Sequence, residues 1–71
     1  MKDLAAAFGK QLRVIRKNKQ ISQDRLALIA DIDRSYVGRI ERGEVNITLE
    51  KVYELASALE CDVCDLLPNI D

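Results

Sequence analysis

Seventy-one residues carrying 11 Lys or Arg, 12 Asp or Glu and no His give a net charge of −1 and leave room for a single domain. That is near the size at which one core is marginal and pairing with a second copy helps. With 48% apolar residues, few aromatics and β-branched residues scattered rather than alternating, the composition excludes disorder and a sheet sandwich and fits a helical protein.

No apolar run reaches the length of a membrane span, and Leu4 to Phe8, preceded by Asp3, is too short for a signal-peptide core. Two cysteines make no secreted disulfide framework. A cytoplasmic protein without a structural disulfide is expected. The net charge conceals an asymmetry: residues 1 to 43 hold ten basic and five acidic side chains, whereas residues 44 to 71 hold one and seven. A polyanion would be drawn to the first part and repelled by the second.

In chain order, Leu4, Phe8, Leu12 and Ile15 recur at helical spacing, which predicts an amphipathic helix over residues 4 to 18 with Asp3 as its N-cap. Lys10, Arg13 and Lys17 occupy its other faces, Lys10 as a solvated charge, and Gly9 inside it costs about 1 kcal/mol relative to Ala. Asn18 to Ile21 breaks the pattern. Ser22 then caps a second helix whose buried side is Leu26, Ala27, Ile29 and Ala30. Gln23 falls in the first turn, among the unpaired backbone donors that bind anions, so it is a candidate phosphate contact. The plainer reading is a solvated glutamine.

Asp31, Ile32 and Asp33 form a second break, and Asp33 caps a third helix from Arg34 to about Arg42. At about 100° per residue, Arg34, Ser35, Gly38, Arg39 and Arg42 share one face; Val37 and Ile40 fall opposite, and Tyr36 lies between. The outward face thus holds two or three guanidiniums and a hydroxyl. Arginine's fork can donate twice to guanine O6 and N7, serine reads permissively or holds phosphate, and a bare Gly38 would let the backbone approach a groove. A basic helix face by itself is usually only solvated. Here it belongs to the second helix of a tight pair, the layout of a DNA-binding helix-turn-helix over residues 22 to 43.

Gly43 ends the third helix, and Glu44 to Ile47 forms a linker with Val45 and Ile47 as apolar anchors and Asn46 exposed between them. Thr48 caps a fourth helix over residues 49 to 59, in which Leu49, Val52, Tyr53, Leu55, Ala56 and Leu59 spread over an arc wider than one core requires. Asp62, with Asp65 three residues on, starts a short fifth helix that buries Leu66 and Leu67 and stops at Pro68. The surplus apolar arc makes residues 49 to 71 the expected dimerisation region, with Leu55, Leu66 and Ile70 at the interface.

On these residues the segment SQDRLALIADIDRSYVGRIERGEVNITLEKVYELASAL resembles the lambda-repressor-like, XRE-type helix-turn-helix family of bacterial and phage regulators. Within it, the likeness is greatest to short stand-alone members such as restriction–modification controller proteins. SQDRLA, RSYVGRIERG and NITLEKVYELA carry the likeness, which spans about residues 8 to 67. It implies an all-α, compact five-helix DNA-binding domain over residues 1 to 71. It also implies that Arg34, Ser35 and Arg39 read bases, that Gln23, Tyr36 and Asn46 hold the DNA backbone, and that Arg16 and Glu41 form an internal salt bridge. Arg42, on the same face, joins the phosphate contacts. Where the family usually has glycine, before the second helix and in the turn after it, this chain has Gln20 and Asp31; Val45 replaces a basic linker residue of some controllers.

Catalysis finds no support, since there is no His and no Ser, Lys or carboxylate set at catalytic spacing. Cys61 and Cys64 form a C-x-x-C, but a zinc site would need two further ligands, and ordinary cysteines are the expectation. Neither cofactor, metal nor small-molecule ligand is expected. The function expected is transcriptional regulation by a homodimer in the major groove of a palindromic double-stranded operator, with control of a restriction–modification system or of its own gene as the setting and RNA polymerase as a further partner. The competing reading is a protein-binding helical module, such as an antitoxin or adaptor, whose acidic half holds a basic partner.

Overall fold

The computed structural model describes residues 3 to 69. Five helices succeed one another: α1 (Leu4–Asn18), α2 (Gln23–Ala30), α3 (Arg34–Glu41), α4 (Leu49–Leu59) and α5 (Val63–Leu66), with no strand among the described residues. Three of the starts are set by side-chain oxygens. Ser22 accepts from the Arg25 N–H at 3.0 Å, Asp33 from Ser35 at 3.1 Å and Thr48 from Lys51 at 3.1 Å. Each bond satisfies a donor that a helix start leaves without an intrahelical partner. Asp3 and Asp62 hold the equivalent positions without a side-chain capping bond. Asp3 stands in the left-handed region at φ 59° instead of the extended one that caps adopt, and α5 closes its single turn through the Asp62 carbonyl instead.

The ends are set by left-handed residues. Gln20, Asp31 and Glu60 lie at φ 59°, 58° and 55°, and Gly43 at 75°. Only the last has the residue that adopts this backbone without cost. In the two turns flanking α2, polar side chains thus take the conformation for which glycine is the usual choice.

The core is built from Phe8 and Leu12 of α1, Leu26 and Ala27 of α2, Val37 and Ile40 of α3, four residues of α4 and Leu66 of α5. α1 packs on α3 and α5, α2 on α3 and α4, and α4 on α5. Leu55 and Leu66 are fully buried inside the monomer, so the dimer role expected of them fails for lack of surface. Ile70 lies outside the described residues. Ile29 and Leu67, expected inside, are exposed, because α2 turns only Leu26 and Ala27 fully inward and the chain has left α5 by Leu67.

Gly9 is a packing requirement more than a tolerated interruption. A Cβ built there would lie 2.2 Å from the Ile40 carbonyl oxygen and 2.8 Å from that of Glu41. The backbone of α1 therefore rests directly on the last turn of α3. Gly9→Ala gains helix propensity of about 1 kcal/mol but must push two helices apart. We expect a net loss of about 1 to 3 kcal/mol in urea unfolding, and a stabilised variant would disprove the contact.

Candidate nucleic-acid interface

α3 turns Val37 and Ile40 into the core and leaves Arg34, Ser35 and Arg39 exposed along one side. What orients this face is a buried ion pair. Arg16 of α1 donates from Nε to Glu41 Oε2 at 2.7 Å and from Nη2 to Oε1 at 3.1 Å, and its Nη1 reaches the Ile21 carbonyl at 2.7 Å. The two side chains are only 8% and 3% exposed. Gln23, the first residue of α2, donates its amide to Glu41 Oε1 at 3.0 Å. One cluster thus fastens α1, the turn before α2, the start of α2 and the end of α3. The Gln23 side chain donates inward, and its backbone N–H lies among the donors that a helix start leaves without an intrahelical partner.

On the exposed side every arginine has an acidic neighbour. Arg34 pairs through Nε with Asp24 of α2. Glu44, just past the end of α3, takes Arg42 on both oxygens at 2.7 and 3.3 Å and stands 3.9 Å from Arg39 Nε. The hydrogen bond from Arg42 holds the Glu44 carboxyl below its usual range, and the same bond raises Arg42. Ser35 donates its hydroxyl to Asp33 at 3.1 Å. Tyr36 is half-buried against the core. Gly38 is not the open centre of the face, as the helical projection suggested. It is buried, and a Cβ there would meet Arg42 Nη1 at 3.1 Å and Gln23 Oε1 at 3.9 Å. The long side chain one turn on folds back over it.

Asn46 is exposed in the linker and lines a shallow apolar groove of about 360 Å³ with Leu4, Phe8, Ile47, Leu49 and Leu67. Cys61 and Cys64 are free thiols, and burial pushes that of Cys61 up. Among the described residues no group of three or more His, Cys, Asp or Glu is placed to hold a metal, and no helix is long and apolar enough to cross a membrane.

The partners of the arginines escaped sequence reading for a simple reason. A helical wheel stops at Gly43, so it cannot bring Glu44 back onto the face it follows. Asp24 and Arg34 lie on different helices, and only the turn geometry joins them.

Removing one member of the buried pair strands the other. Arg16→Met should cost about 3 to 5 kcal/mol in urea unfolding, and the double replacement Arg16→Met with Glu41→Leu should cost less than that single change. A double variant as unstable as the sum of the singles would show that the two side chains are not coupled.

Residues 12 to 66 match the helix-turn-helix family HTH_3. The chain is 39% identical over 61 residues to control protein C.BamHI of Bacillus amyloliquefaciens, covering 84% of this chain and 75% of that one. It is 32% identical over 72 residues to control protein C.MunI of a Mycoplasma species, covering 100% and 97%. The crystal structure of the restriction–modification controller protein C.AhdI from Aeromonas hydrophila superposes with a TM-score of 0.86 at 41% identity, covering 89% of this chain and 96% of that one. The match embraces α2 and α3 with the helices that hold them, and the chain belongs to the XRE-type, lambda-repressor-like helix-turn-helix family of DNA-binding transcriptional regulators.

Proposed function

We propose that this chain is a regulator of the restriction–modification controller kind, acting as a homodimer that sets α3 of each subunit into successive major grooves of a palindromic operator. The half-sites of such an operator lie about 34 to 36 Å apart. The observation that carries the reading is the exposed face of α3, where Arg34, Ser35 and Arg39 stand opposite the buried Val37 and Ile40. Arg34 and Arg39 offer planar forks to guanine edges, and Ser35 has one hydroxyl to exchange between Asp33 and the DNA. Gln23 through its backbone N–H, Tyr36, Asn46 and Arg42 take the phosphates. The naming of C.BamHI and C.MunI as control proteins supports the same role.

For pairing, the exposed apolar residues Leu4, Leu49, Tyr53 and Leu67 take the part first given to Leu55 and Leu66. Leu49 is 72% exposed and Tyr53 58%, and both border the shallow apolar surface that α4 presents. Apolar side chains gathered in this way favour a subunit contact. The dimer works by occupancy of a promoter in the cytoplasm, its own included, with RNA polymerase as its neighbour there.

An operator recovered by selection from a random duplex pool tests this directly. Arg39→Ala should lower affinity for it by about 1 to 3 kcal/mol per subunit and relax the base preference at one position of each half-site. Binding of the unaltered protein should fall steeply as KCl rises from about 50 to 200 mM. Salt-insensitive binding, or none to any duplex, would sink the reading.

A further inference from the structure

We propose that Glu44 is a specificity-determining residue. Its carboxylate restrains the arginines at the end of α3, so that DNA offering only phosphates is bound less well and Arg39 is aimed at a base. The inference rests on the DNA-binding reading above.

Glu44 is placed by the backbone and not by a loose linker. Gly43, at φ 75°, reverses the chain; its N–H bonds the Ile40 carbonyl at 3.0 Å, and the Glu44 N–H bonds that of Arg39 at 2.9 Å. The turn is seated on α1, since a Cβ at Gly43 would lie 2.7 Å from the Ala6 Cα. The carboxylate is thereby held beside two guanidiniums at once, whereas among the described residues Asp24 at the other end pairs with Arg34 only.

The two arginines are engaged differently. Arg42 gives Nε and Nη2 to Glu44, the forked arrangement that a phosphate would otherwise occupy. A phosphate must therefore displace a carboxylate, and the displaced anion stays next to the DNA. Arg39 is approached at Nε, at 3.9 Å, which leaves Nη1 and Nη2 for the O6 and N7 of guanine. In the base-specific complex Glu44 keeps a cationic partner and orients it. On a sequence without the right base, Arg39 is drawn to phosphate instead, and the carboxylate's repulsion of the backbone is no longer offset. Non-specific affinity is almost wholly phosphate attraction, so the carboxylate weighs most heavily there.

The test uses fluorescence anisotropy with the full chain, the duplex selected from the random pool and a base-shuffled duplex of equal length. Glu44→Gln should tighten binding to the shuffled duplex about threefold or more and steepen its salt dependence by about one unit of log–log slope. Affinity for the selected duplex should stay level or fall, so the ratio between the two shrinks, and Glu44→Asp should restore the ratio. The thermal midpoint should not move, because Glu44 is exposed. An unchanged ratio with Glu44→Gln overturns the inference while leaving the regulator reading intact. Failure of the unaltered protein to bind either duplex removes both.

Discussion

The contact on which the recognition geometry depends is the buried pair between Arg16 and Glu41. A charge withdrawn from water is tolerated only if its bonds are complete, and this pair meets that condition with the help of the Ile21 carbonyl and the Gln23 amide. No buried side-chain nitrogen or oxygen among the described residues is left without a partner. An apolar contact at the same place would accept sliding by a fraction of a helical turn, whereas two parallel bonds between planar groups accept one register. The pair therefore contributes orientation more than affinity between helices: it sets how α3 stands against α1. Gly9 acts toward the same end from the backbone side, letting α1 come into direct contact with the carbonyls of Ile40 and Glu41.

Two glutamates only three residues apart have opposite tasks because of where their chains stand. Glu41 lies on the last turn of α3 and faces α1, in surroundings where water cannot compete for Arg16. Glu44 follows the reversal at Gly43 and lies in solvent beside Arg39 and Arg42. The first interaction is shielded from water and salt, while the second is weakened by both and can be exchanged for a phosphate. A single turn of backbone thus separates the ion pair that builds the site from those that regulate its charge.

Much of this was legible in the sequence. The helix starts at Ser22, Asp33 and Thr48 were readable because capping is local chemistry. The polar face of α3 was readable because Val37 and Ile40 mark its opposite side. Leu55 and Leu66 were misread for the complementary reason. Apolar periodicity identifies which side of a helix is covered, but not whether the cover comes from the same chain or from a second copy. Leu49 and Tyr53 belong to the same periodic arc as Leu55, and only the positions of α2 and α5 decide which of them remain in water. Gly38 shows the limit from the other side: its place on the polar face was correct, but the length of Arg42, folded back over it, is invisible to an angular projection. The Arg16–Glu41 pair required the family resemblance, since residues 25 positions apart carry no mutual signal in one sequence.

The helix ends at Gln20, Asp31 and Glu60 have a further consequence. Each holds a left-handed backbone without being glycine, at a cost of about 1 kcal/mol apiece, in a domain whose size gives it little stability to spare. Substitution at any of these turns changes the fraction of unfolded chains, and with it the steady-state amount of protein that escapes proteolysis in a cell. Gln20 and Glu60 lie outside α3. For a transcriptional regulator, such turns act as settings of dose, adjustable by mutation while the exposed face of α3 stays the same.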